Sequence, residues 1–141
     1  MENEHMVETT ATRDFLTTWF QELSDSGFDG NVFLAALSDD LRWTATGHSP
    51  VSGTFDGKQA YIDNVYRRLD DRLEKWPRAE VRRIMADGEW GFVEFDGIGG
   101  LGKNGTDYTL QYCWVIRVVD RLIVEVIGYY DQSKVNELFA D

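Results

Sequence analysis

The order of two hydrophobic periodicities along the chain constrains the fold most. Up to Trp76-Pro77, most apolar side chains recur at the three- and four-residue spacing of helices. From Arg78 onward they alternate at the two-residue spacing of strands. Helices gathered at one end and strands at the other predict an α+β fold, with the helices packed on one face of a curved antiparallel sheet. A sheet wrapped around a helix leaves a blind pocket, and such pockets usually hold small molecules.

The same patterns give approximate element boundaries. The chain is predicted to form helices at residues 9–24, 31–37 and 58–76, a strand near 41–46, a turn at 53–58, strands at 78–86, 90–98, 106–119 and 122–130, and a closing helix at 131–139. Asp87-Gly88 and Asn104-Gly105 are typical hairpin turns, whereas the turn predicted at Asp120-Arg121 lacks a glycine. Residues 1–8 are polar and unpatterned, which predicts a flexible leader, and residues 9–141 are predicted to form a single domain.

Composition excludes several classes of function. The net charge of −11 disfavours nucleic acid and anionic lipid as partners, and the basic cluster of Arg78, Arg82 and Arg83 is interrupted by Glu80. No apolar run reaches the roughly 18 residues of a membrane span. Cys113 is the only cysteine, so no internal disulfide is expected and a cytoplasmic location is predicted. With two histidines and one cysteine far apart, we expect no metal site.

Strand alternation predicts which side chains line the pocket. In residues 108–116 one face carries Tyr108, Leu110, Tyr112, Trp114 and Ile116, and the other carries Thr109, Gln111, Cys113 and Val115, followed by Arg117. The aromatic set is expected to point inward, with Val126, Gly128 and Tyr130 from the last strand and with Trp43 closing one wall. Such a lining suits a flat, hydrophobic, oxygenated ligand. The alternative is that these side chains simply fill the core.

Four titratable residues are candidates for acid/base chemistry, each with a simpler alternative. Glu94 and Asp96 share a strand face, and two carboxylates close together in an apolar pocket would raise at least one pKa. They could instead face solvent or pair with Arg82 or Arg83. Asp131 precedes a predicted helix, which favours an N-cap. His48 lies on a loop beside the first strand, where a solvated histidine is the alternative.

The glycines between Gly97 and Gly102 match GxGxxG, and residues 97–103 match GxxxxGK. A phosphate loop needs a following helix and a Ser or Thr after the lysine, whereas here Asn104 and a strand follow. We therefore predict a hairpin loop at this segment.

Several of these motifs together resemble a known family. Trp43, the 53–58 segment, Asp87-Gly88, Asn104-Gly105 and the sequence Tyr129-Tyr130-Asp131 resemble the SnoaL-like polyketide cyclases of the nuclear transport factor 2-like superfamily, which also contains ketosteroid isomerase and limonene epoxide hydrolase. The resemblance implies a cone-shaped α+β barrel with a deep pocket, a homodimer formed through the sheet, and no metal or organic cofactor. Many members of the superfamily only bind ligands, so the fold does not imply activity.

Most catalytic positions of these relatives are not kept. The resemblance places Ala45 at the isomerase's base, Trp19 or Phe20 at its oxyanion-hole tyrosine, and Leu110 near its protonated aspartate. For the epoxide hydrolase it places Gly128 at the water-activating carboxylate, Trp43 and Ala45 at the water-holding pair, and Glu94 and Asp96 at the Arg and Asp pair. In the cyclases an acid/base aspartate ends the last strand, and Asp131 is the matching residue, with His48 as a candidate supporting histidine.

The sequence therefore predicts a cofactor-independent cyclase or isomerase-like enzyme that transfers protons on a small hydrophobic carbonyl compound. Its candidate acid/base residues are Glu94, Asp96, Asp131 and His48, and its candidate binding residues are Trp19, Trp43, Leu110, Tyr112, Trp114, Val126 and Tyr130. The alternatives are a non-catalytic module that binds a small apolar ligand and an accessory interaction domain. A carboxylate or histidine inside the pocket favours the enzyme, and a pocket lined only by aromatic residues favours the binding module.

Overall fold

The computed structural model of the chain describes residues 2–140. In chain order its elements are α1 (Glu2–Asp25), α2 (Gly30–Ala35), β1 (Leu37–Ala45), β2 (Gly53–Asp56), α3 (Lys58–Tyr61), a π-helical turn (Ile62–Tyr66), α4 (Arg67–Arg72), β3 (Leu73–Lys75), β4 (Arg78–Asp87), β5 (Trp90–Gly102), β6 (Asp107–Val119), β7 (Leu122–Tyr130) and α5 (Gln132–Leu138).

The strands form one curved, unclosed sheet, which confirms the predicted α+β class. Its order is β2-β1-β7-β6-β5-β3. Strands β3 and β4 both pair with β5, β4 along residues 90–98 and β3 at residues 101–102. All pairs are antiparallel except β1 with β7, which is parallel. Register shifts interrupt β4 between Val81 and Arg83 and β5 between Gly97 and Gly100. Such bulges increase local twist and bend a strand, which suits a sheet that curves around helices.

The core lies between the concave face of this sheet and the helices. From α1 the side chains of Leu16, Trp19, Phe20 and Leu23 point into it and are nearly or completely buried. From β6 the predicted inward set is buried or half-buried, whereas Thr109 and Gln111 on the other face are exposed. The alternation predicted for this strand is therefore confirmed.

Helix α1 is longer than predicted. It begins at Glu2 rather than Thr9, so residues 2–8 of the predicted leader are helical, while Met1 lies outside the described residues. Thr9 Oγ1 accepts the Gly88 N–H at 2.8 Å, and Thr12 Oγ1 donates to the Gly88 carbonyl at 2.7 Å. These bonds tie the helix to the β4–β5 turn, a long-range contact that a local polar pattern does not reveal.

The predicted third helix and the turn before it also differ. The helix ends at Arg72 instead of Trp76, because residues Leu73–Lys75 pair with the end of β5. The segment predicted as a turn at 53–58 contains strand β2, which pairs with β1 and places Phe55 opposite Trp43.

The glycine-rich segment is not a hairpin loop, because β5 continues through it to Gly102. Gly99 has φ +79°, and a Cβ on Gly100 would lie 2.6 Å from the Tyr108 carbonyl oxygen, so the bulge requires glycine at both positions. The turns predicted at Asn104-Gly105 and Asp120-Arg121 lie between their strands, whereas the turn predicted at Asp87-Gly88 is one residue later, at Gly88-Glu89, because Asp87 still pairs with Trp90. Gly88 and Gly105 have φ values of +63° and +88°. Asp120 and Arg121 also have positive φ, of 51° and 61°, as a type I′ turn requires, although neither is glycine.

None of the helices within residues 2–140 is long and apolar enough to cross a membrane.

Candidate functional site

A cavity of about 70 Å³ lies between the concave sheet face and the helices. Its walls come from the helices, from β1, β4, β5, β6 and β7, and from the segments that join them. The lining residues are Phe28, Phe33, Trp43, Ala45, Val51, Tyr61, Val65, Leu69, Trp76, Pro77, Ala79, Phe95, Gly97, Tyr108, Tyr112, Trp114, Gly128, Tyr130 and Val135. Of these described residues, none carries a carboxylate, imidazole, thiol, ammonium or guanidinium group, so tyrosine hydroxyls are the only titratable groups of the lining.

Strand register brings the sheet wall together. Phe95, Tyr112 and Tyr130 are neighbours across β5, β6 and β7, and Trp114 lies opposite Gly128 on β7. A Cβ added to Gly128 would lie 3.4 Å from the indole of Trp114 and would point into the cavity space. The missing side chain at position 128 therefore leaves room over Trp114.

The aromatic rings of this wall hold one another in place. Trp43 contacts Trp114 edge-on at 5.2 Å between centroids and packs on Tyr61 at 4.2 Å. Phe95 stacks on Tyr112 at 4.7 Å with an interplanar angle of 9°. Such contacts stabilise a rigid apolar surface, which suits a flat ligand.

Burial keeps three of the cavity's tyrosines protonated. Desolvation raises the pKa of Tyr61 and of Tyr112 well above the usual value, and it raises the pKa of Tyr108 in the same direction. The Tyr130 hydroxyl lies 3.1 Å from Ser49 Oγ and 3.3 Å from Ser52 Oγ at the edge of the cavity. At neutral pH the raised pKa values of Tyr61, Tyr108 and Tyr112 keep these three phenols protonated, so they do not act as bases.

A stack of three half-buried rings covers one side of the cavity. Trp76 lies between Phe28 and Tyr66, with centroid distances of 5.4 and 5.2 Å. The Trp76 indole N–H donates to Asp70 Oδ1 at 2.7 Å. Phe28 has φ +66°, which is uncommon for a bulky residue, and Tyr66 ends the π-helical turn. Both features are typical of functional positions.

The predicted binding residues fall into two groups. Trp43, Tyr112, Trp114 and Tyr130 line the cavity. The other three, Trp19, Leu110 and Val126, are buried in the core outside the cavity lining. Trp19 packs on Phe33 and Trp114, and its indole N–H finds no partner among the described residues.

Glu94 and Asp96 do not face the cavity, so the prediction that they form an inward carboxylate pair is wrong. Because side chains alternate along β5, the inward positions belong to Val93 and Phe95, and the carboxylates lie on the outer face. There Arg83 Nε lies 2.7 Å from Glu94 Oε1, and Arg82 Nη2 lies 2.9 Å from Asp96 Oδ2. The alternative of a solvent-facing surface with ion pairs to these arginines is the one observed.

Asp131 is a helix cap. Its Oδ1 accepts the Ser133 N–H at 3.0 Å and the Ser133 hydroxyl at 2.7 Å, and the hydroxyl bond is the main cause that lowers the pKa of this carboxyl. His48 is exposed on the loop between β1 and β2, in a shallow surface depression apart from the central cavity. The structure therefore brings neither residue into the cavity, and the acid/base roles expected of them lack support.

Sequence reasoning missed several cavity residues that come from outside β6 and β7. Phe95 is the one that alternation along β5 could have identified, because it must face inward once Glu94 and Asp96 are known to face outward. Tyr61 lies on the apolar face of the helix predicted at 58–76, at helical spacing from Val65. No local signal distinguishes it, or Phe28, Phe33 and Trp76, from ordinary core aromatics.

Comparisons with known proteins agree with this architecture. The family model described as a SnoaL-like domain matches residues 13–126, so the chain belongs to the SnoaL-like domain family. No curated protein sequence matches the chain.

Solved structures share the fold at low identity. A nuclear transport factor 2-like protein of unknown function from Burkholderia pseudomallei is 20% identical to this chain, with a TM-score of 0.74. The superposition covers 92% of this chain and 98% of the Burkholderia chain. An epoxide hydrolase of the limonene epoxide hydrolase-like type from Mycobacterium tuberculosis is 22% identical with a TM-score of 0.63, covering 93% and 90%. A protein with a ketosteroid isomerase-like fold from Catenulispora acidiphila, in complex with trimethylamine, is 19% identical with a TM-score of 0.66, covering 86% and 88%.

Proposed function

We propose that this SnoaL-like domain binds a small, neutral, flat apolar compound in its aromatic cavity and does not catalyse proton transfer on it. The observation that carries the proposal is the composition of the lining, in which tyrosines are the only titratable residues among those that the structure describes. Apolar and aromatic walls with a few polar groups are typical of small-molecule sites.

The cyclase or isomerase alternative requires a group that accepts a proton from carbon. Burial holds the pKa of Tyr61, Tyr108 and Tyr112 above the usual value, so these phenols are poor bases at neutral pH. They could polarise a carbonyl, but polarisation alone completes neither an isomerisation nor an aldol closure. The binding function therefore fits the described lining better than the enzymatic one.

The size of the cavity limits the ligand. An engineered apolar cavity of roughly 150 Å³ binds benzene, and the cavity here is about half that volume. A single-ring compound therefore requires some outward movement of the half-buried cover, of which Phe28 and Trp76 line the cavity directly. Larger fused-ring compounds require more movement and should bind more weakly.

Titration with ethylbenzene tests the proposal by calorimetry and by tryptophan fluorescence. We expect saturable 1:1 binding that changes the emission, because Trp43 and Trp114 line the cavity. Trp114→Phe should reduce the emission change, whereas Trp90→Phe, on the outer face and 37% exposed, should leave it intact. Absence of saturable binding, or an emission change that depends on Trp90, would contradict the proposal.

We also propose that two copies associate through the outer face of the sheet. Met85, Phe92, Val115 and Ile127 form an apolar row across β4, β5, β6 and β7 in the observed register. Ion pairs flank this row, among them Arg83 with Glu94 on one side and Arg117 with Glu89 on the other. Although the chain carries a net charge of −11, charges on this face are locally balanced, which lowers the repulsion between two copies.

A further inference from the structure

The cover of the cavity, formed by the stacked rings of Phe28, Trp76 and Tyr66, is held by a polar contact on its outer side. Trp76 is the middle ring, and its indole N–H donates to Asp70 Oδ1 at 2.7 Å. Asp70 is an exposed residue of α4 and lies outside the cavity lining. A carboxylate that touches no part of the cavity therefore fixes the orientation of a ring that closes it.

The backbone beside these rings is anchored, so the cover opens by rotation of a side chain. The Phe28 N–H donates to the Leu23 carbonyl at 2.8 Å. Pro77, which follows Trp76, packs against β5, where a Cβ added to Gly97 would lie 3.2 Å from the Pro77 Cβ. Trp76 itself is half-buried in the short connection between β3 and β4. Turning its indole outward uncovers the cavity and moves the N–H away from Asp70.

We propose that Asp70 controls the ligand affinity of the cavity from outside it, as a positioning residue that holds Trp76 in the closed orientation. The proposal rests on the proposed binding function, in which a single-ring compound requires the cover to move outward. Ethylbenzene then binds only the molecules in which Trp76 has turned away, whereas the bond to Asp70 exists only in the closed ones. The apparent Kd equals the intrinsic Kd divided by the open fraction, so this bond weakens ligand binding.

Removal of the Asp70 carboxylate should therefore tighten binding, which is the opposite of what loss of a supporting contact produces. The net contribution of one hydrogen bond corresponds to a factor of about two to ten in an equilibrium constant. We expect Asp70→Ala to lower the Kd of ethylbenzene and to raise its association rate constant by that factor. The dissociation rate constant should stay the same, because the bound form has already lost the bond. Calorimetry gives the Kd, and stopped-flow tryptophan fluorescence gives both rate constants.

Three variants isolate the bond from other effects of the substitution. Asp71→Ala is the matched control, because Asp71 is also an exposed carboxylate of α4 and has no hydrogen-bond or ion-pair partner among residues 2–140. It should behave as the native protein does. Asp70→Asn keeps an oxygen that accepts the indole hydrogen and should restore most of the native behaviour. In Trp76→Phe, which has no indole N–H, adding Asp70→Ala should change neither the Kd nor the rates.

Hydrogen exchange of the Trp76 indole N–H reports the same bond without any ligand. In the native protein this hydrogen is bonded to Asp70. Its exchange with solvent, followed by NMR of the 15N-labelled protein, should be faster in Asp70→Ala than in the native protein. Asp71→Ala should exchange at the native rate. Overall stability would affect both variants alike, so the difference between them measures the closed orientation of Trp76.

The outcomes separate this inference from the proposed function. If ethylbenzene binds saturably but Asp70→Ala has the Kd and rates of Asp71→Ala, or binds more weakly than the native protein, Asp70 does not oppose binding and the inference is wrong. Equal indole exchange in the two alanine variants would also refute it. If ethylbenzene binds neither the native protein nor Asp70→Ala, the proposed function is wrong, whatever the indole exchange shows.

Discussion

Gly128→Ala fills the cavity without disturbing the strand that carries it. A Cβ at this position meets Trp114 at 3.4 Å and the Thr44 carbonyl oxygen at 3.7 Å, which are ordinary contact distances. A methyl group is about the size of a water molecule, whose share of liquid volume is roughly 30 Å³. The substitution therefore removes a large part of a cavity of about 70 Å³.

Two terms predict a small gain in stability for Gly128→Ala. Alanine in a strand avoids the conformational entropy of glycine, roughly 0.5–1 kcal/mol, and the buried methyl adds about 0.8 kcal/mol if it packs without strain. Some of this gain is offset by adjustment of Trp114, so we expect the free energy of unfolding to rise by about 0.5–1.5 kcal/mol. Ligand affinity should nevertheless fall at least about fivefold, because overpacking a filled cavity costs about 1 kcal/mol or more.

Chemical denaturation and calorimetric titration with ethylbenzene measure the two quantities on the same preparation. Gly91→Ala is the matched control, because its Cβ would meet Leu16 Cδ1 at 2.6 Å and the Met85 carbonyl oxygen at 2.9 Å, away from the cavity lining. It should lose stability and keep the affinity of the folded protein. If Gly128→Ala binds ethylbenzene as tightly as the native protein, the cavity is not the binding site and the reasoning is refuted.

Two further variants test the cap and the outer face. Asp131→Ala should lower the free energy of unfolding by about 1 kcal/mol at pH 7 through loss of the N-cap. Because the pKa of Asp131 is lowered in the folded protein, its contribution to the free energy of unfolding is present above the ordinary pKa of 3.8 and is lost as the pH falls through the lowered pKa. The difference in unfolding free energy between Asp131→Ala and the native protein should therefore shrink in acid. A difference that stays constant with pH would contradict this role. Val115→Glu should convert a dimer to a monomer in light scattering without changing ethylbenzene affinity, and a native protein that is monomeric at micromolar concentration would refute the dimer.

The overall architecture follows from the sequence because its signals are local. The change of period after Pro77 separates the helical part from the main strands, and Asp87-Gly88 and Asn104-Gly105 fix two of the hairpins. The alternation in β6 also predicts correctly that Tyr112 and Trp114 face inward, because polar side chains such as Gln111 occupy the other face.

Which face of β5 points toward the core could not be predicted in the same way. Both of its faces carry large apolar residues, Trp90 and Phe92 on one and Val93 and Phe95 on the other, so composition does not choose between them. The choice depends on pairing with β6, which places Phe95 opposite Tyr112. The Glu94 and Asp96 hypothesis failed for that reason, since it assumed the opposite face.

The cavity walls from the helices were also beyond local patterns. Tyr61 and Phe33 lie on apolar helix faces, and whether such a ring fills the core or borders a cavity depends on packing against other elements. Gly128 is a similar case, because the space it leaves exists only once Trp114 lies beside it.

The most direct test of binding without proton transfer is proton NMR of acetophenone in D2O with the protein present. Binding broadens the ligand signals in proportion to added protein, and a base in the cavity would exchange the methyl hydrogens beside the carbonyl for deuterium. We predict saturable broadening that is weaker in Gly128→Ala, with methyl exchange no faster than in buffer. Exchange accelerated by the protein and suppressed by ethylbenzene would show a working base in the cavity and contradict the central claim.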